Sequence, residues 1–163
     1  MRFEKVSYKQ YASDSNKPKD DILLDEYDSL RIPKRATKAS AGYDFFAPWS
    51  FTLQPGESIK IPSGIRVLLD EDKVLMCHPR SGLGFKFRLQ LDNTTGIIDA
   101  DYSNSDNEGH IFFKLTNDSR DGKTVTVKRG EAFAQGVILQ YFITENDNVT
   151  TKRNGGFGST TNN

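Results

Sequence analysis

Residues 91–102, LDNTTGIIDADY, place turn residues, an apolar pair and two carboxylates in one short segment. The side chains of residues 92–94 can hydrogen-bond their own backbone, and Gly96 can adopt a positive φ. Ile97 and Ile98 favour a strand. The segment therefore predicts a hairpin in which a turn leads into a strand at residues 97–100.

Asp99 and Asp101 are the two acids of this segment. Successive side chains of a strand point to opposite faces, so both acids are expected on one face. Ala100, on the other face, is too small to block an approaching ligand or backbone. The pattern indicates a functional hairpin, and an Asp-rich surface turn that closes a hairpin fits the segment equally well.

Residues 79–84, PRSGLG, combine a guanidinium, a hydroxyl and backbone N–H groups that glycine leaves exposed. Arg80 can bind two oxygens at once, while Ser81 and Gly82 supply further donors. These groups together can form a local phosphate site. The competing interpretation is a glycine turn with a solvated Arg80.

Three further segments carry polar groups next to apolar runs. Asp44 stands where a strand begins, beside two small residues, although it also fits an acid that ends a turn. Gln135 offers an amide near the start of the last long strand, and a single buried amide would explain it too. Residues 103–108, SNSDNE, could hold a cation, but their spacing differs from an EF-hand loop and favours a solvated turn.

The C-terminal segment 152–160, KRNGGFGST, contains basic groups, glycines, one aromatic ring and hydroxyls. Such a tail can fold over a ligand, with Phe157 on a ring and the polar groups on phosphates. A disordered terminus is the alternative, as is common for glycine-rich chain ends.

The composition limits the classes of function. The 163 residues carry 22 Lys and Arg against 22 Asp and Glu, which excludes the charge pattern of a general nucleic-acid or membrane-surface binder. Any phosphate site must therefore be local. The single cysteine, Cys77, is expected to be buried and compatible with a reducing cytosol. Without a long apolar run or signal pattern, the chain is expected to be soluble and cytoplasmic.

Short apolar runs separated by Gly, Pro, Asn and Asp predict an all-β sandwich or barrel after residue 30. The predicted strands cover residues 43–46, 58–61, 65–69, 74–78, 97–100, 111–115, 124–127 and 133–142. Ser7 and Gln10 have capping-box spacing and predict a short N-terminal helix, with Val6 and Tyr11 as its hydrophobic staple. Residues 16–28 are expected to be irregular. The predicted organisation is an N-terminal extension (1–30), a β domain (31–144) and a flexible tail (145–163).

The five segments around Asp44, Arg80, Asp99, Gln135 and Phe157, in this order, resemble the five motifs of the homotrimeric dUTPase family. The resemblance runs from about residue 32 to 160. It implies a distorted jelly-roll or β-barrel fold and hydrolysis of dUTP to dUMP and pyrophosphate with Mg²⁺. It also implies a homotrimer in which three subunits build each site.

The resemblance assigns roles position by position. On the phosphate side, Asp44 matches the acid that holds the magnesium–triphosphate assembly through water. Arg80, Ser81 and Gly82 match the phosphate-binding segment, and Gln135 matches a phosphate-side amide.

On the base side, Asn93 and the backbone of Gly96, Ile97 and Ile98 match the hairpin that reads the uracil edge. Asp99 matches the acid that activates the attacking water. Tyr102 matches the aromatic residue under the deoxyribose, which leaves no room for a 2′-hydroxyl. The closing tail is matched by further residues: Arg153, Phe157, Gly158 and Ser159.

The sequence departs from the family pattern at several places. Ala132 stands where the family usually carries a basic residue, and either Lys152 or Arg153 can serve as the basic residue of the tail. The loop 103–108 is longer than usual, and residues 1–30 have no counterpart in the family core.

Two rival functions remain open from the sequence. A dCTP deaminase, or a bifunctional relative, shares the fold and the triphosphate site but needs an acid/base beside the base ring. A regulatory protein-binding module on the same scaffold would use the N-terminal extension or the loop 103–108. Ammonia release from dCTP separates the first rival from dUTP hydrolysis.

Overall fold

The computed structural model describes residues 1–151, and the predicted tail residues Arg153, Phe157, Gly158 and Ser159 lie outside the described residues. The described chain is mostly β, with open sheets of the distorted jelly-roll kind, which confirms the predicted fold class. Among the described residues, no helix has the length and apolar character needed to cross a membrane.

Within residues 1–151, short strands alternate with three short α-helices. The strands are β1 (Arg2–Lys5), β2 (Lys34–Arg35), β3 (Tyr43–Phe46), β4 (Phe51–Leu53), β5 (Ser58–Pro62), β6 (Ile65–Leu68), β7 (Lys73–Pro79), β8 (Leu89–Leu91), β9 (Gly96–Ile98), β10 (Phe112–Asn117), β11 (Val125–Val127) and β12 (Ala132–Gln140). The helices are α1 (Tyr8–Ser15), α2 (Asp21–Asp28) and α3 (Ser81–Phe87), with a 3-10 helix at Ala100–Asn104.

Two larger sheets enclose the core. One has the strand order β2-β3-β12-β7-β9 and the other β5-β10-β8, while β1-β6 and β11-β4 form separate antiparallel pairs. Phe113 packs between Phe45 and Phe133, with ring centroids 4.9 and 5.1 Å away. All three rings are at most 1% exposed, so aromatic contacts between the sheets fill the centre of the fold.

The predicted N-terminal helix is confirmed. Ser7 is the N-cap of α1 and its side chain accepts a hydrogen bond from the Gln10 N–H, as the capping-box spacing predicts. Val6 and Tyr11 are both buried, as expected for a hydrophobic staple. β1 pairs with β6, so the first residues of the chain are part of the β structure.

The prediction that residues 16–28 are irregular is wrong, because α2 occupies 21–28. The Asp20 side chain caps this helix by accepting from the Leu23 N–H. Leu23 and Glu26 are buried one turn apart, and Tyr11 and Lys17 bond the Glu26 carboxylate. The buried face of α2 therefore contains a carboxylate, which disguised its amphipathic pattern in the sequence.

The prediction of a hairpin at residues 91–102 is also wrong, because the two strands that flank the turn do not pair with each other. β8 pairs with β10, whereas β9 pairs with β7 in the other sheet. The turn between them therefore links the two sheets. The strand that was predicted at 97–100 ends at Ile98, because Asp99 caps the 3-10 helix that follows.

Candidate active site

Three neighbouring strands place polar side chains in one row across the five-stranded sheet. Asp44 on β3 is paired with Gln135 on β12, and Gln135 is paired with His78 on β7. Directly opposed residues of antiparallel strands share a face, so these three side chains lie on the same side of the sheet. Two of the predicted segments therefore meet at neighbouring positions.

Gln135 occupies space that Gly42 leaves open. Its Nε2 donates to the carbonyl oxygen of Pro79 over 3.2 Å. A Cβ on Gly42 would lie only 2.6 Å from Oε1 of Gln135. The small residue before β3 thus leaves room for the amide, which is half-buried.

Arg80 completes this group at the end of β7. Its Nε lies 3.3 Å from Oδ1 of Asp44, and the arginine side chain is 42% exposed. An exposed guanidinium can exchange such a carboxylate for phosphate oxygens, because both present a matching pair of acceptors. The acid and the arginine, which the sequence placed in separate segments, are therefore in contact within one chain.

Ser81 and Gly82 begin α3, a helix that was not predicted from the sequence. The N–H groups of Leu83 and Gly84 bond the Arg80 carbonyl oxygen over 3.1 and 2.9 Å. Ser81 and Gly82 are exposed and lie in the first turn, where N–H groups have no earlier helical carbonyl to bond. Their position is compatible with the predicted phosphate-binding role.

Asn93 lies in the turn between β8 and β9, as predicted. Thr94, rather than Gly96, has the positive φ of this turn, at 62°. Gly96 is instead needed for a close approach, because a Cβ there would lie 3.0 Å from the Cβ of Cys77 on β7. Cys77 is 2% exposed, which confirms it as a buried small residue, and this burial raises the pKa of its thiol to about 12.

The next residues of the chain after Gly96 are Ile97, Ile98 and Asp99. The two isoleucines belong to β9, which pairs with β7. Ile97 is 61% exposed, whereas Ile98 packs on the core. Asp99 is half-buried and its carbonyl oxygen accepts from the Tyr102 N–H over 3.2 Å. Asp101 lies within the 3-10 helix, so the prediction that both acids share one face of a strand is wrong.

Tyr102 is buried, with 6% of its surface exposed. Its hydroxyl donates to the His110 carbonyl oxygen over 2.8 Å and accepts from Nδ2 of Asn107 over 2.9 Å. The Tyr102 ring is therefore held in one position by packing and by two hydrogen bonds, and we call it the wall residue. In a single chain, only a narrow edge of it is left for a ligand.

The row and the 97–99 segment lie at different ends of β7. Ile98 is paired with Leu75, so Asp99 lies near Val74, whereas Pro79 precedes Arg80. Pro79 lies five residue steps along the strand from Val74, about 17 Å at the usual rise of 3.3–3.4 Å per residue. One chain therefore does not bring Asp99 to the Asp44–Arg80 pair.

Two residues beside the predicted acid and amide were not predicted from the sequence. His78 belongs to the row, and Lys34 extends the row onto β2. Lys34 on β2 is paired with Asp44, and His78 is paired with Gln135. His78 was not singled out in the sequence, where it directly follows Cys77. Strand register, which the sequence does not reveal, is what places a lysine and a histidine beside the predicted acid and amide.

A divalent metal fits this site only indirectly. Within residues 1–151, no group of three or more His, Cys, Asp or Glu side chains is arranged to hold a metal ion. Asp44 stands as one carboxylate next to an arginine. That donor set suits contact through water with an ion that the substrate itself carries, since Mg²⁺ is commonly held by one or two carboxylates plus phosphates.

The fold and the row define a mostly β protein with a cluster of polar and charged side chains on its five-stranded sheet. The model of the dUTPase family matches residues 28–161 of the chain. A deoxyuridine 5'-triphosphate nucleotidohydrolase of Lactococcus lactis is 40% identical over 134 residues, which cover 80% of this chain and 88% of the relative. The chain belongs to the dUTPase family.

Solved structures agree with this assignment. A dUTPase from Streptococcus mutans superposes with a TM-score of 0.66 and 29% identity, covering 89% of this chain and 99% of that one. A variant dUTPase of phage phi11 of S. aureus, described with a structural Mg(II) ion, has a TM-score of 0.60 and 26% identity. The shared part covers 75% of this chain and 91% of the phage protein.

Proposed function

We propose that the chain hydrolyses dUTP to dUMP and pyrophosphate with Mg²⁺, as a homotrimer in the cytoplasm. The observation that carries the proposal is the contact of Asp44 with Arg80 beside Gln135, in a member of the dUTPase family. The names of the relatives point to dUTP as the substrate.

The triphosphate would bind at the row. Arg80 offers its planar fork to phosphate oxygens, and Ser81 and Gly82 add the donors of the first turn of α3. Gln135 supplies a neutral donor that needs no counter-ion. Asp44 would hold magnesium through water, and the bound ion would neutralise phosphate charge and polarise the phosphorus–oxygen bonds.

The uracil would bind along β9. Asn93 and the backbone of Gly96–Ile98 offer N–H and C=O groups in a fixed arrangement, which Gly96 maintains by its close approach to β7. Such an edge selects one base by leaving polar groups unpaired with another. Tyr102 would then exclude a 2′-hydroxyl by its fixed position.

Asp99 is the proposed general base. It would take a proton from water while the water oxygen bonds to the α-phosphorus, and the bond from that phosphorus to the bridging oxygen would break. Pyrophosphate would leave with the electron pair of the broken bond. The general-base step requires Asp99 close to the α-phosphate.

The separation of these groups supports the proposed homotrimer. Asp99 and Arg80 lie near opposite ends of β7, so Asp99 of one chain would meet Arg80 of another. The proposed tail residues Arg153, Phe157, Gly158 and Ser159 would close the site from a third chain. Deleting residues 155–163 should then lower turnover severely and leave the β domain folded, as circular dichroism would report.

A nucleotide panel tests the proposal. Pyrophosphate release should be much faster from dUTP than from dTTP, dCTP or UTP. Comparable turnover of dTTP would remove the uracil-reading role of β9, and ammonia release from dCTP would favour a deaminase. Sedimentation should give three chain masses, and a fully active monomer would contradict a shared site.

A further inference from the structure

The wall residue Tyr102 is connected to the N-terminal helix through the loop that precedes β10. Asn107 donates to the Tyr102 hydroxyl, and its own Oδ1 accepts from the Gly109 N–H over 3.1 Å. The Tyr102 hydroxyl donates to the carbonyl oxygen of His110. Asn107 and His110 therefore both hydrogen-bond the hydroxyl, which is the only polar atom of the Tyr102 side chain.

His110 connects this loop to α1. Its ring is fully buried, and Nε2 accepts from the Gly64 N–H over 2.8 Å. Nδ1 must then carry the proton, which it donates to Oδ2 of Asp14 over 2.6 Å. Asp14, near the end of α1, also accepts from Nε2 of Gln10, so the helix fixes the carboxylate that orients the histidine.

The start of α1 is bonded to the same loop. Oε2 of Glu108 accepts from the Ser7 N–H over 2.7 Å, and Oε1 accepts from the Ser7 hydroxyl over 2.6 Å. Glu108 has a φ of 59°, an unusual value for a residue with a side chain. The loop is therefore attached to α1 at both ends of the helix, through Ser7 and through Asp14.

We propose that Asp14 and His110 are positioning residues for sugar selection, which hold Tyr102 where it rejects a ribonucleotide. The inference rests on the proposed role of Tyr102 in the hydrolysis of dUTP. A wall excludes one hydroxyl only if it cannot yield by a fraction of an ångström. The bonds from α1 to the loop supply that rigidity, which gives residues 1–30 a function in specificity.

The test compares kcat/KM for dUTP and for UTP in full-length variants. Asp14→Ala removes the acceptor of a buried N–H and should lower the preference for dUTP roughly tenfold, through faster turnover of UTP. Asp14→Asn keeps an acceptor and should restore most of the preference. Ser7→Ala, a milder change on the surface, should lower the preference less and in the same direction.

Asp25→Ala is the matched control. Asp25 on α2 bonds Arg129, so this variant also loosens residues 1–30 from the β domain, but away from the Tyr102 loop. Its sugar preference should equal that of the wild type. An equal loss of preference in Asp25→Ala and Asp14→Ala would overturn the inference, because general loosening would explain both.

Two reference variants distinguish a failure of this inference from a failure of the proposed dUTP hydrolysis. Tyr102→Ala should abolish the preference for dUTP, and Tyr102→Phe, which removes only the hydroxyl bonds, should match Asp14→Ala. If Tyr102→Ala loses the preference while Asp14→Ala and Ser7→Ala keep it, the inference fails and the proposed function stands. A wild type that releases no pyrophosphate from dUTP would overturn both.

Discussion

Oδ1 of Asp44 lies 3.3 Å from Nε of Arg80, so the proposed magnesium acid and the proposed phosphate arginine neutralise each other. A triphosphate with its metal ion would have to replace this ion pair by two new contacts, one to each partner. Asp44→Asn should therefore raise the Mg²⁺ concentration for half-maximal rate by about 10- to 100-fold, as is usual for outer-shell partners of a metal. Initial rates over a magnesium titration measure this change.

The control for this variant is an Arg–Asp ion pair outside the row. Nη2 of Arg88 lies 3.0 Å from Oδ2 of Asp118, and both side chains are nearly half exposed. Asp118→Asn should leave the magnesium requirement unchanged. Asp118→Asn should also change the free energy of unfolding by less than about 1 kcal/mol, because the Arg88–Asp118 pair is exposed. An unchanged magnesium requirement in Asp44→Asn would remove Asp44 from the metal.

The parts of this site that the sequence predicted are those set by local chemistry. A carboxylate at the start of a strand and a turn at 92–95 depend on neighbouring residues, and Asp44 and Asn93 lie where they were expected. The row depends instead on the register of β3, β12 and β7, which contacts between distant segments decide. Lys34 and His78 were missed for that reason.

The errors of the sequence analysis have a common physical origin. α3 contains two glycines and α2 buries a carboxylate, so intrinsic propensity and hydrophobic pattern both argue against a helix that tertiary contacts nevertheless stabilise. The strand after Gly96 was predicted too long because nothing local shows that Asp99 begins a 3-10 helix. The prediction that Asp99 and Asp101 share one face assumed the alternating side chains of a strand, but residues 100–104 form a 3-10 helix.

Gly109 and Gly122 form a matched pair that tests how tightly the Tyr102 loop is packed. Both have positive φ, at 71° and 76°. A Cβ on Gly109 would lie 2.6 Å from Cα of Ser103, whereas a Cβ on Gly122 would meet nothing within 4 Å. Gly122→Ala should cost about 1 kcal/mol, the penalty of a left-handed conformation.

Gly109→Ala should cost more, roughly 2–3 kcal/mol or above, because the backbone of Ser103 cannot move without displacing Tyr102. Urea unfolding of both variants measures the difference. Equal destabilisation would mean that the loop yields easily, which would also weaken the case for a rigid wall at Tyr102.

His110 should make stability depend on pH above the range of the carboxylates. Burial lowers the pKa of His110 below its usual 6.5, an effect that Asp14 partly opposes. Between 6.5 and the lowered value, the unfolded chain binds a proton that the folded chain does not. Stability is therefore complete above pH 6.5 and falls as the pH decreases towards the folded pKa, by at most about 1.4 kcal/mol per unit.

Urea unfolding between pH 7.5 and 5 measures this slope. Ser7 lowers the pKa of Glu108 from its usual 4.5, so Glu108 contributes only at lower pH. His110→Gln keeps an acceptor for the Gly64 N–H without a titrating ring, and its stability should depend less on pH in this window. The same slope in the variant and the wild type would assign the dependence to other groups.

Asp99 provides the most direct test of the proposed chemistry. Asp99→Asn keeps the size of the side chain and most of its hydrogen bonds but removes the base. Turnover at saturating dUTP should fall by about 10² to 10⁴-fold, while substrate binding survives.

Asp101→Asn is the control, because Asp101 is exposed in the first turn of the 3-10 helix that Asp99 caps. Both substitutions remove one negative charge near the start of the same helix, so a local electrostatic effect should appear in both variants, whereas loss of the base should appear only in Asp99→Asn. Turnover within a few-fold of wild type in Asp99→Asn would exclude Asp99 as the general base, even if dUTP remained the preferred substrate.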